Sequence, residues 1–123
     1  MNKSAQSVIW LEIKSDLELK IINGTYKIAG RMPSISELTE LYSCGDSTAQ
    51  KVLESLYAEG LLTKKRGIGY FVKPLCREKL IEKHMEALEN LIAKLVKEAH
   101  ALGIDKKTLI DLTDKQIHST YSP

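Results

Sequence analysis

Cysteine is scarce in this chain, and no stretch is apolar enough to suggest a membrane helix. Its two cysteines, Cys44 and Cys76, have no CxxC partner and no neighbouring histidine, which argues against a disulfide framework or a zinc site and predicts reduced thiols. No run approaches the roughly 18 consecutive apolar residues of a membrane helix, and the first residues lack the apolar segment of a signal peptide. We therefore expect a cytoplasmic protein.

Patterns typical of catalytic and metal sites are missing as well. His84, His100 and His118 lack the spacing of metal ligands, and no paired nucleophile and base, phosphate-binding glycine loop or zinc motif occurs. We therefore expect neither an enzyme nor a metal or other cofactor. The length of 123 residues, 43% of them hydrophobic, allows one domain, or a small domain with an appendage.

The net charge of +2 is small, but it is unevenly distributed. Residues 34–57 contain four acids against Lys51 alone, whereas residues 63–73 contain no acid. The cations of this second segment are Lys64, Lys65, Arg66 and Lys73. Positive potential is therefore concentrated there, which favours contact with an anionic partner.

Hydrophobic periodicity predicts an amphipathic first helix over residues 8–23. Its apolar residues recur every four positions, at Ile9, Ile13, Leu17 and Ile21. Asn23-Gly24 ends this helix, because both residues tolerate the left-handed conformation. Residues 25–33 contain Gly30 and Pro33 and are interpreted as a loop.

A second and a third helix follow with a short turn between them. Ser34 and Glu37 fit a capping box at the start of the second helix, and Leu38 and Leu41 form its expected buried stripe. The third helix is predicted over residues 46–59, ended by Gly60, with Val52, Leu53, Leu56 and Tyr57 on its apolar side. Two short helices joined by a glycine-containing turn form a helix-turn-helix, whose second helix normally enters the major groove of DNA.

The segment from Glu59 to Val72 is the most informative part of the sequence. Two short apolar runs flank a cationic tip with Gly67-Ile68-Gly69, which indicates a β-hairpin whose glycines permit positive φ and a close approach to a nucleic-acid backbone. A basic hairpin after a helix-turn-helix is typical of a winged DNA-binding domain. The predicted fold is therefore mainly α with a small β-hairpin, and we assign this winged domain to residues 1–75.

Residues 76–123 are predicted to form a helical dimerisation appendage of two helices. The first of these, over residues 77–102, carries a seven-residue repeat of Ile81, Met85, Leu88, Ile92, Leu95, Ala99 and Leu102. Asp105 can cap the last helix, and the residues after His118 are expected to be frayed or disordered. The alternative is a monomer whose tail packs on its own domain, but a helix of about 26 residues spans about 39 Å, more than a small winged domain can cover.

These residues resemble the GntR family of bacterial transcription regulators, and within it the short YtrA-type branch. The matching motifs are Ile22-Asn23-Gly24, Gly30-Arg31-Met32-Pro33-Ser34, Glu37-Leu38, Glu59-Gly60-Leu61-Leu62 and Arg66-Gly67-Ile68-Gly69-Tyr70-Phe71-Val72. The resemblance implies a dimeric winged-helix protein that binds an operator and uses a C-terminal appendage to dimerise. Larger effector-binding domains, which other branches carry, are not found in this sequence.

Four positions depart from the family pattern. Ser36, Asp46 and Gln50 stand where arginines are usual, and Ile68 stands where a basic residue is common between the two wing glycines. The charged DNA contacts that the resemblance implies are therefore missing at these positions. The scaffold and the base of the wing are retained.

Candidate DNA contacts lie at the start of the second helix, on the third helix and on the wing. The predicted set is Ser34, Ser36, Asp46, Ser47, Thr48, Gln50, Lys51, Lys64, Lys65, Arg66, Gly67, Gly69 and Tyr70. Hydroxyls suit phosphates or either base, Gln pairs with adenine, and Lys suits guanine or phosphate. Tyr70 could pack at the wing base and offer its hydroxyl to a phosphate. Asp46 could accept from cytosine, but helix capping is its commoner role.

Three functional hypotheses remain open at this point. The first is a homodimeric GntR-type regulator that binds a pseudo-palindromic operator in double-stranded DNA. The second is a winged-helix module for protein interaction, in which the missing arginines reflect weakened or lost DNA reading. The third makes the two-helix tail a sensor of a small-molecule effector, and it is the least favoured of the three because two helices leave little room for a pocket of the usual size unless it forms between subunits.

Overall fold

The computed structural model describes residues 3–121, and it describes the side chains of residues 9–121. The elements are α1 (Lys3–Ile22), α2 (Ile35–Tyr42), α3 (Asp46–Ala58), β1 (Leu62–Lys65), β2 (Gly69–Val72), α4 (Cys76–Ala101) and α5 (Lys106–Tyr121). The predicted fold class, mainly helical with one small hairpin, is confirmed. Two compact units divide the chain between Lys83 and His84, so that α4 begins in the first unit and continues in the second.

The core of the first unit is formed mainly by α1 and α3. Ile13, Leu17 and Ile21 of α1 are buried as predicted, whereas Ile9 is 40% exposed at the outer end of that stripe. From α3 the buried residues are Ala49, Val52, Leu53 and Leu56. Burial of these side chains is the main favourable contribution to folding of this unit.

Helix α2 begins where the sequence predicts. The Glu37 amide donates to Ser34 Oγ at 3.1 Å and the Ser34 amide donates to Glu37 Oε1 at 3.0 Å, which completes the capping box. The predicted stripe of Leu38 and Leu41 is wrong in its second member, because Leu41 is 60% exposed. In this eight-residue helix Ile35 and Tyr42 pack with Leu38 instead, at i−3 and i+4 from it.

Helix α3 begins without the aspartate cap expected from the sequence. Gly45 occupies the N-cap and no side chain caps the helix, so the capping role predicted for Asp46 is wrong. Asp46 is the first helical residue, where its carboxylate still interacts favourably with the positive end of the helix. Gly60 follows the last turn with φ of +78°, as its predicted role in ending the helix requires.

The hairpin pairs Leu62 with Val72 at its base and Lys65 with Gly69 at its tip. Residues 29–32, interpreted from the sequence as loop, run along the other edge of β2. The Ala29 amide donates to the Val72 carbonyl and the Met32 amide to the Tyr70 carbonyl, both at 2.8 Å. This second short pairing attaches the segment before α2 to the wing.

The start of α4 belongs to the core of the first unit. Cys76 and Leu80 are each 1% exposed, and Lys83 donates to the buried carboxylate of Glu18 at 2.6 Å. Burial raises the pKa of the Cys76 thiol to about 11, which keeps it protonated. The first unit therefore ends at Lys83, eight residues after the composition boundary at residue 75.

The second unit consists of the rest of α4 and of α5. Gly103, with φ of +77°, lies in the turn between them, and the predicted cap is confirmed because Asp105 accepts from the Thr108 amide at 2.8 Å. Helix α5 continues to Tyr121, beyond the expected fraying point at His118, and the last two residues lie outside the described part of the chain. Within residues 3–121, no helix is both long enough and apolar enough to cross a membrane.

Candidate nucleic-acid interface

Helix α3 carries five of the thirteen residues predicted to contact DNA. Asp46, Ser47, Gln50 and Lys51 are exposed, while Thr48 is half-buried. Because Ala49 and Val52 point into the core, residues at i, i+3 and i+7 from Ser47 share the opposite face. That face therefore continues from Ser47 and Gln50 to Glu54, an acidic residue that the sequence reading had not placed in the site.

Lys51 leans towards α1 rather than away from the protein. Its ammonium lies 4.5 Å from the centroid of the Trp10 ring, and Lys14 lies 5.8 Å from the same ring. A cation over an aromatic face is attracted by about 0.5–1 kcal/mol at an exposed site. This contact holds the ammonium of Lys51 at the edge of the α3 face, and a weak attraction of this size can be exchanged for a phosphate.

Glu54 connects the wing base to α3. The Tyr70 hydroxyl donates to Glu54 Oε1 at 2.9 Å, and Lys64 Nζ lies 3.5 Å from the same oxygen. Tyr57 of α3 meets the Tyr70 ring edge-on, with centroids 6.0 Å apart. Burial, together with the hydrogen bond to Glu54, raises the pKa of Tyr70, so the phenol stays protonated and donates. The sequence predicts that the Tyr70 hydroxyl could contact a phosphate, but in the structure this hydroxyl already donates to Glu54.

The wing tip keeps its cations exposed. Lys65 lies 4.5 Å from the centroid of the Phe71 ring, and Arg66 precedes Gly67, whose φ of +77° forms the turn. Among residues with described side chains, neither Lys65 nor Arg66 takes part in an ion pair, unlike Lys64. The positive charge predicted for the wing is therefore most available at the tip.

A cleft of about 270 Å³ lies between the start of α2 and the wing. It brings together four of the predicted site residues, Ser34, Ser36, Gly69 and Tyr70, beside Ile68. Arg31 also lines it and had not been included in the predicted site. The signal for Arg31 was present in Gly30-Arg31-Met32-Pro33-Ser34, but only the pairing of this segment with β2 shows that its side chain reaches the wing.

Within the described residues, no group of three or more His, Cys, Asp or Glu side chains could hold a metal ion. The polar groups of the site are hydroxyls, an amide, ammonium and guanidinium groups and carboxylates on one surface. Such groups suit hydrogen bonding and charge pairing with phosphates and base edges.

Known proteins share both the sequence motifs and the fold. Residues 10–72 match the family of bacterial regulatory proteins named gntR. The chain is 24% identical over 101 residues to the HTH-type transcriptional repressor YtrA of Bacillus subtilis (strain 168). The aligned residues cover 82% of this chain and 78% of that protein. The YtrA-type resemblance is thus confirmed.

Solved structures agree with this assignment. The fold is similar to that of a GntR family transcriptional regulator from Listeria monocytogenes, with a TM-score of 0.72, 23% identity and coverage of 87% of this chain and 93% of that one. AraR(DBD), solved in complex with operator ORR3, is 25% identical with a TM-score of 0.50, over 52% of this chain and 77% of that one. The family match spans just over half of the sequence, and we conclude that the chain belongs to the gntR family of bacterial regulatory proteins, a family of transcription regulators and not of enzymes.

Proposed function

We propose that this protein binds a pseudo-palindromic DNA operator as a homodimer and regulates transcription from it in the bacterial cytoplasm. The observation that carries the proposal is the exposed face of α3 beside a hairpin whose tip presents Lys65 and Arg66, neither of which forms an ion pair with any described side chain. A helix and a cationic wing on one surface match the two features of duplex DNA, a readable major groove and a charged backbone. The operator complex of AraR(DBD) supports the proposal.

The proposed contacts divide into base reading and backbone binding. On α3, Ser47 and Gln50 are the exposed neutral groups, and we assign base edges to them. Thr48 and Lys51 are assigned to phosphates, with Lys51 leaving the Trp10 ring of α1 on binding. Asp46 is assigned to a cytosine amine. The backbone contacts of the wing tip are assigned to Lys65 and Arg66, with Gly67 allowing a close approach.

Dimerisation is supported by the apolar surface of the second unit. Leu88, Ile92 and Leu95 remain 45–54% exposed along α4, and an open groove of about 360 Å³ includes Leu91 and Leu102. Contiguous apolar surface of this kind on a soluble protein marks an interaction site. Met85 of the predicted seam is 50% exposed as well, whereas Ala99 is already buried. Joining two subunits would also raise the effective concentration of the second half-site.

The DNA contact can be tested by fluorescence anisotropy with labelled upstream DNA over a range of salt concentrations. Lys65→Ala with Arg66→Ala removes four phosphate contacts per dimer, so the slope of log K against log salt should become shallower by about 3.6. The matched control is Lys106→Ala with Lys107→Ala, which removes the same charge from the start of α5. Equal slopes for the wing variant and the wild type would remove the wing from the mechanism.

The dimer can be tested by sedimentation equilibrium. Ile92→Glu introduces a charge into the exposed apolar stripe of α4 and should shift the protein to monomer. The matched control is Asn90→Glu, which adds the same charge about 160° away around the helix at 100° per residue. A wild-type protein that is monomeric at every accessible concentration would contradict the homodimer, and equal effects of the two variants would contradict the assigned seam.

The charge of α3 favours one alternative, a winged-helix module that binds another protein. Asp46 and Glu54 lie on the exposed side of α3, and its only lysine, Lys51, leans on Trp10. Negative charge on the reading helix would weaken binding to DNA. A selection from random duplexes distinguishes the two functions, because a recurrent sequence supports the operator binder and the absence of any consensus supports the alternative.

A further inference from the structure

Arg31 is held against the wing by its backbone and extends across it with its side chain. Its backbone forms a bridge with Phe71, and the next amide, of Met32, donates to the Tyr70 carbonyl at 2.8 Å. The side chain passes over Gly69, where an added Cβ would lie 3.2 Å from Arg31 Nε and 3.8 Å from Arg31 Nη2. The residue is nonetheless exposed to solvent.

The cleft beside Arg31 contains no other cation. Its other lining residues are Met32, Pro33, Ser34, Ile35, Ser36, Leu53, Ile68, Gly69 and Tyr70. The Tyr70 hydroxyl donates its hydrogen bond to Glu54, so it is already engaged. Any anion that approaches this cleft would therefore meet one guanidinium and the hydroxyls of Ser34 and Ser36.

The negative charge of Glu37 could compete with an anion for Arg31. Its carboxylate is held by Ser34, which limits this competition. Its carboxylate accepts from the Ser34 amide at 3.0 Å, and hydrogen bonds from Ser34 are the main reason that the pKa of Glu37 is lowered. The charge of Arg31 contributes least to that shift. Arg31 and Glu37 do not form an ion pair among the described side chains. The N–H donors of the Arg31 guanidinium are therefore not paired with the Glu37 carboxylate.

We propose that Arg31 binds a phosphate of the DNA backbone where the wing and the start of α2 meet the duplex. This inference rests on the proposed operator binding and adds to it a contact residue outside the predicted set. A guanidinium presents donors in a planar fork that matches phosphate oxygens, and such charged hydrogen bonds are the stronger ones. Ser36 lines the same cleft, and its hydroxyl can donate to the same phosphate group, whereas the Ser34 hydroxyl is engaged with Glu37 in the capping box.

The proposal also gives Gly69 a specific role. Its φ of +142° is a conformation that side chains rarely adopt, and the contact at 3.2 Å leaves no room for a Cβ unless Arg31 moves. Gly69 therefore acts by leaving the space in which Arg31 lies, and not by approaching the DNA itself.

The test compares Arg31→Met and Arg31→Lys by anisotropy over a range of salt concentrations, with Lys106→Met as the control for lost charge. Arg31→Met removes two phosphate contacts per dimer, so the slope of log K against log salt should become shallower by about 1.8. Affinity should fall at least about tenfold, equally for operator and unrelated DNA, because a phosphate carries no sequence information. Arg31→Lys should keep the slope, since the charge remains, and lose only part of the affinity.

The possible failures separate the two proposals. A wild-type protein that binds no DNA overturns both. A wild type that binds, with Arg31→Met unchanged in affinity and slope, overturns the role of Arg31 and leaves operator binding standing. A loss of affinity at unchanged slope, accompanied by a lower unfolding midpoint, makes Arg31 a structural residue and also overturns the proposal.

Discussion

The two compact units of this chain place their apolar side chains differently. In the first unit, Leu17, Leu38 and Leu56 are fully buried between helices. Among the described apolar residues of the second unit only Ala99 is buried, while Leu88, Leu91, Ile92 and eight others are exposed by 45% or more. The first unit therefore has a core of its own, whereas the second leaves most of its large apolar side chains exposed, which supports the proposed association of two subunits.

Truncating one leucine in each unit should have the largest effect and tests this difference directly. Leu56→Ala should lower the free energy of unfolding by about 2–5 kcal/mol, because it leaves a cavity in a closed core. Leu88→Ala, at a side chain that is 49% exposed, should change it by less than about 1 kcal/mol in protein diluted below the dimer dissociation constant. Urea titrations followed by circular dichroism measure both values.

Protein concentration supplies the control for this pair. If the second unit is stabilised by association, the difference in unfolding free energy between Leu88→Ala and the wild type should grow when both are measured at higher protein concentration. The difference between Leu56→Ala and the wild type should not change in this way. Comparable losses in dilute protein would mean that the second unit has a core of its own, which would contradict the comparison.

Sequence patterns predicted the elements whose causes are local. The capping box of Ser34 and Glu37, the cap at Asp105 and the hairpin around Gly67 depend on residues within a few positions of each other, and each is present in the structure. The same locality explains the error at Leu41. In a helix of only eight residues two stripes fit the spacing equally well, and packing against α1 and α3 selects the one that contains Tyr42.

The missed site residues depend on contacts between distant parts of the chain. Arg31 reaches the wing because its segment pairs with β2, some 40 positions later. Glu54 belongs to the site because Tyr70 and Lys64 converge on its carboxylate. Neither pairing leaves a periodic signal in the sequence. The length and type of the wing were therefore predictable from the sequence. The sequence could not show that Lys64 pairs with Glu54 while Lys65 and Arg66 remain outside the ion pairs of the described side chains.

Lys83 tests whether the start of α4 is stabilised as part of the first unit. We expect a loss of unfolding free energy smaller than that of Leu56→Ala. Burial disfavours its charge, but the hydrogen bond to Glu18 and the charge of Glu59 outweigh this and raise the pKa of Lys83. Lys83→Met should lower the free energy of unfolding by about 1–2 kcal/mol at neutral pH. Solvent screens the half-exposed ammonium, so the effect is smaller than for a fully buried pair. Lys97→Met, on the same helix within the second unit, is the matched control and should be neutral.

The dependence on pH has a definite sign for this variant. A lysine whose pKa is raised on folding contributes stability below its unfolded pKa of about 10.4 and loses that contribution as the pH rises through the folded value. The wild type should therefore approach Lys83→Met in stability in strongly alkaline solution, and differ from it fully at pH 7. A difference that stays constant from pH 7 to pH 11 would show that the methylene chain, and not the charge, fastens the start of α4.

Single hydrogen bonds in the two units can be compared as well, and here we expect the smallest effects on stability. Tyr70 donates to Glu54 across 16 positions in the first unit, whereas the Thr113 hydroxyl of the second unit donates to the carbonyls of Leu109 and Ile110, within its own helix. Tyr70→Phe should cost about 1 kcal/mol, because it removes the closer of the two donors to a partly buried carboxylate and leaves only Lys64 at 3.5 Å. Thr113→Val should be close to neutral, since bonding back to a helix carbonyl adds little. Tyr70→Phe should also leave DNA affinity within about twofold, because the Tyr70 hydroxyl donates its hydrogen bond to Glu54 and not to a phosphate. A larger loss of affinity, at unchanged stability, would return the Tyr70 hydroxyl to the DNA contacts.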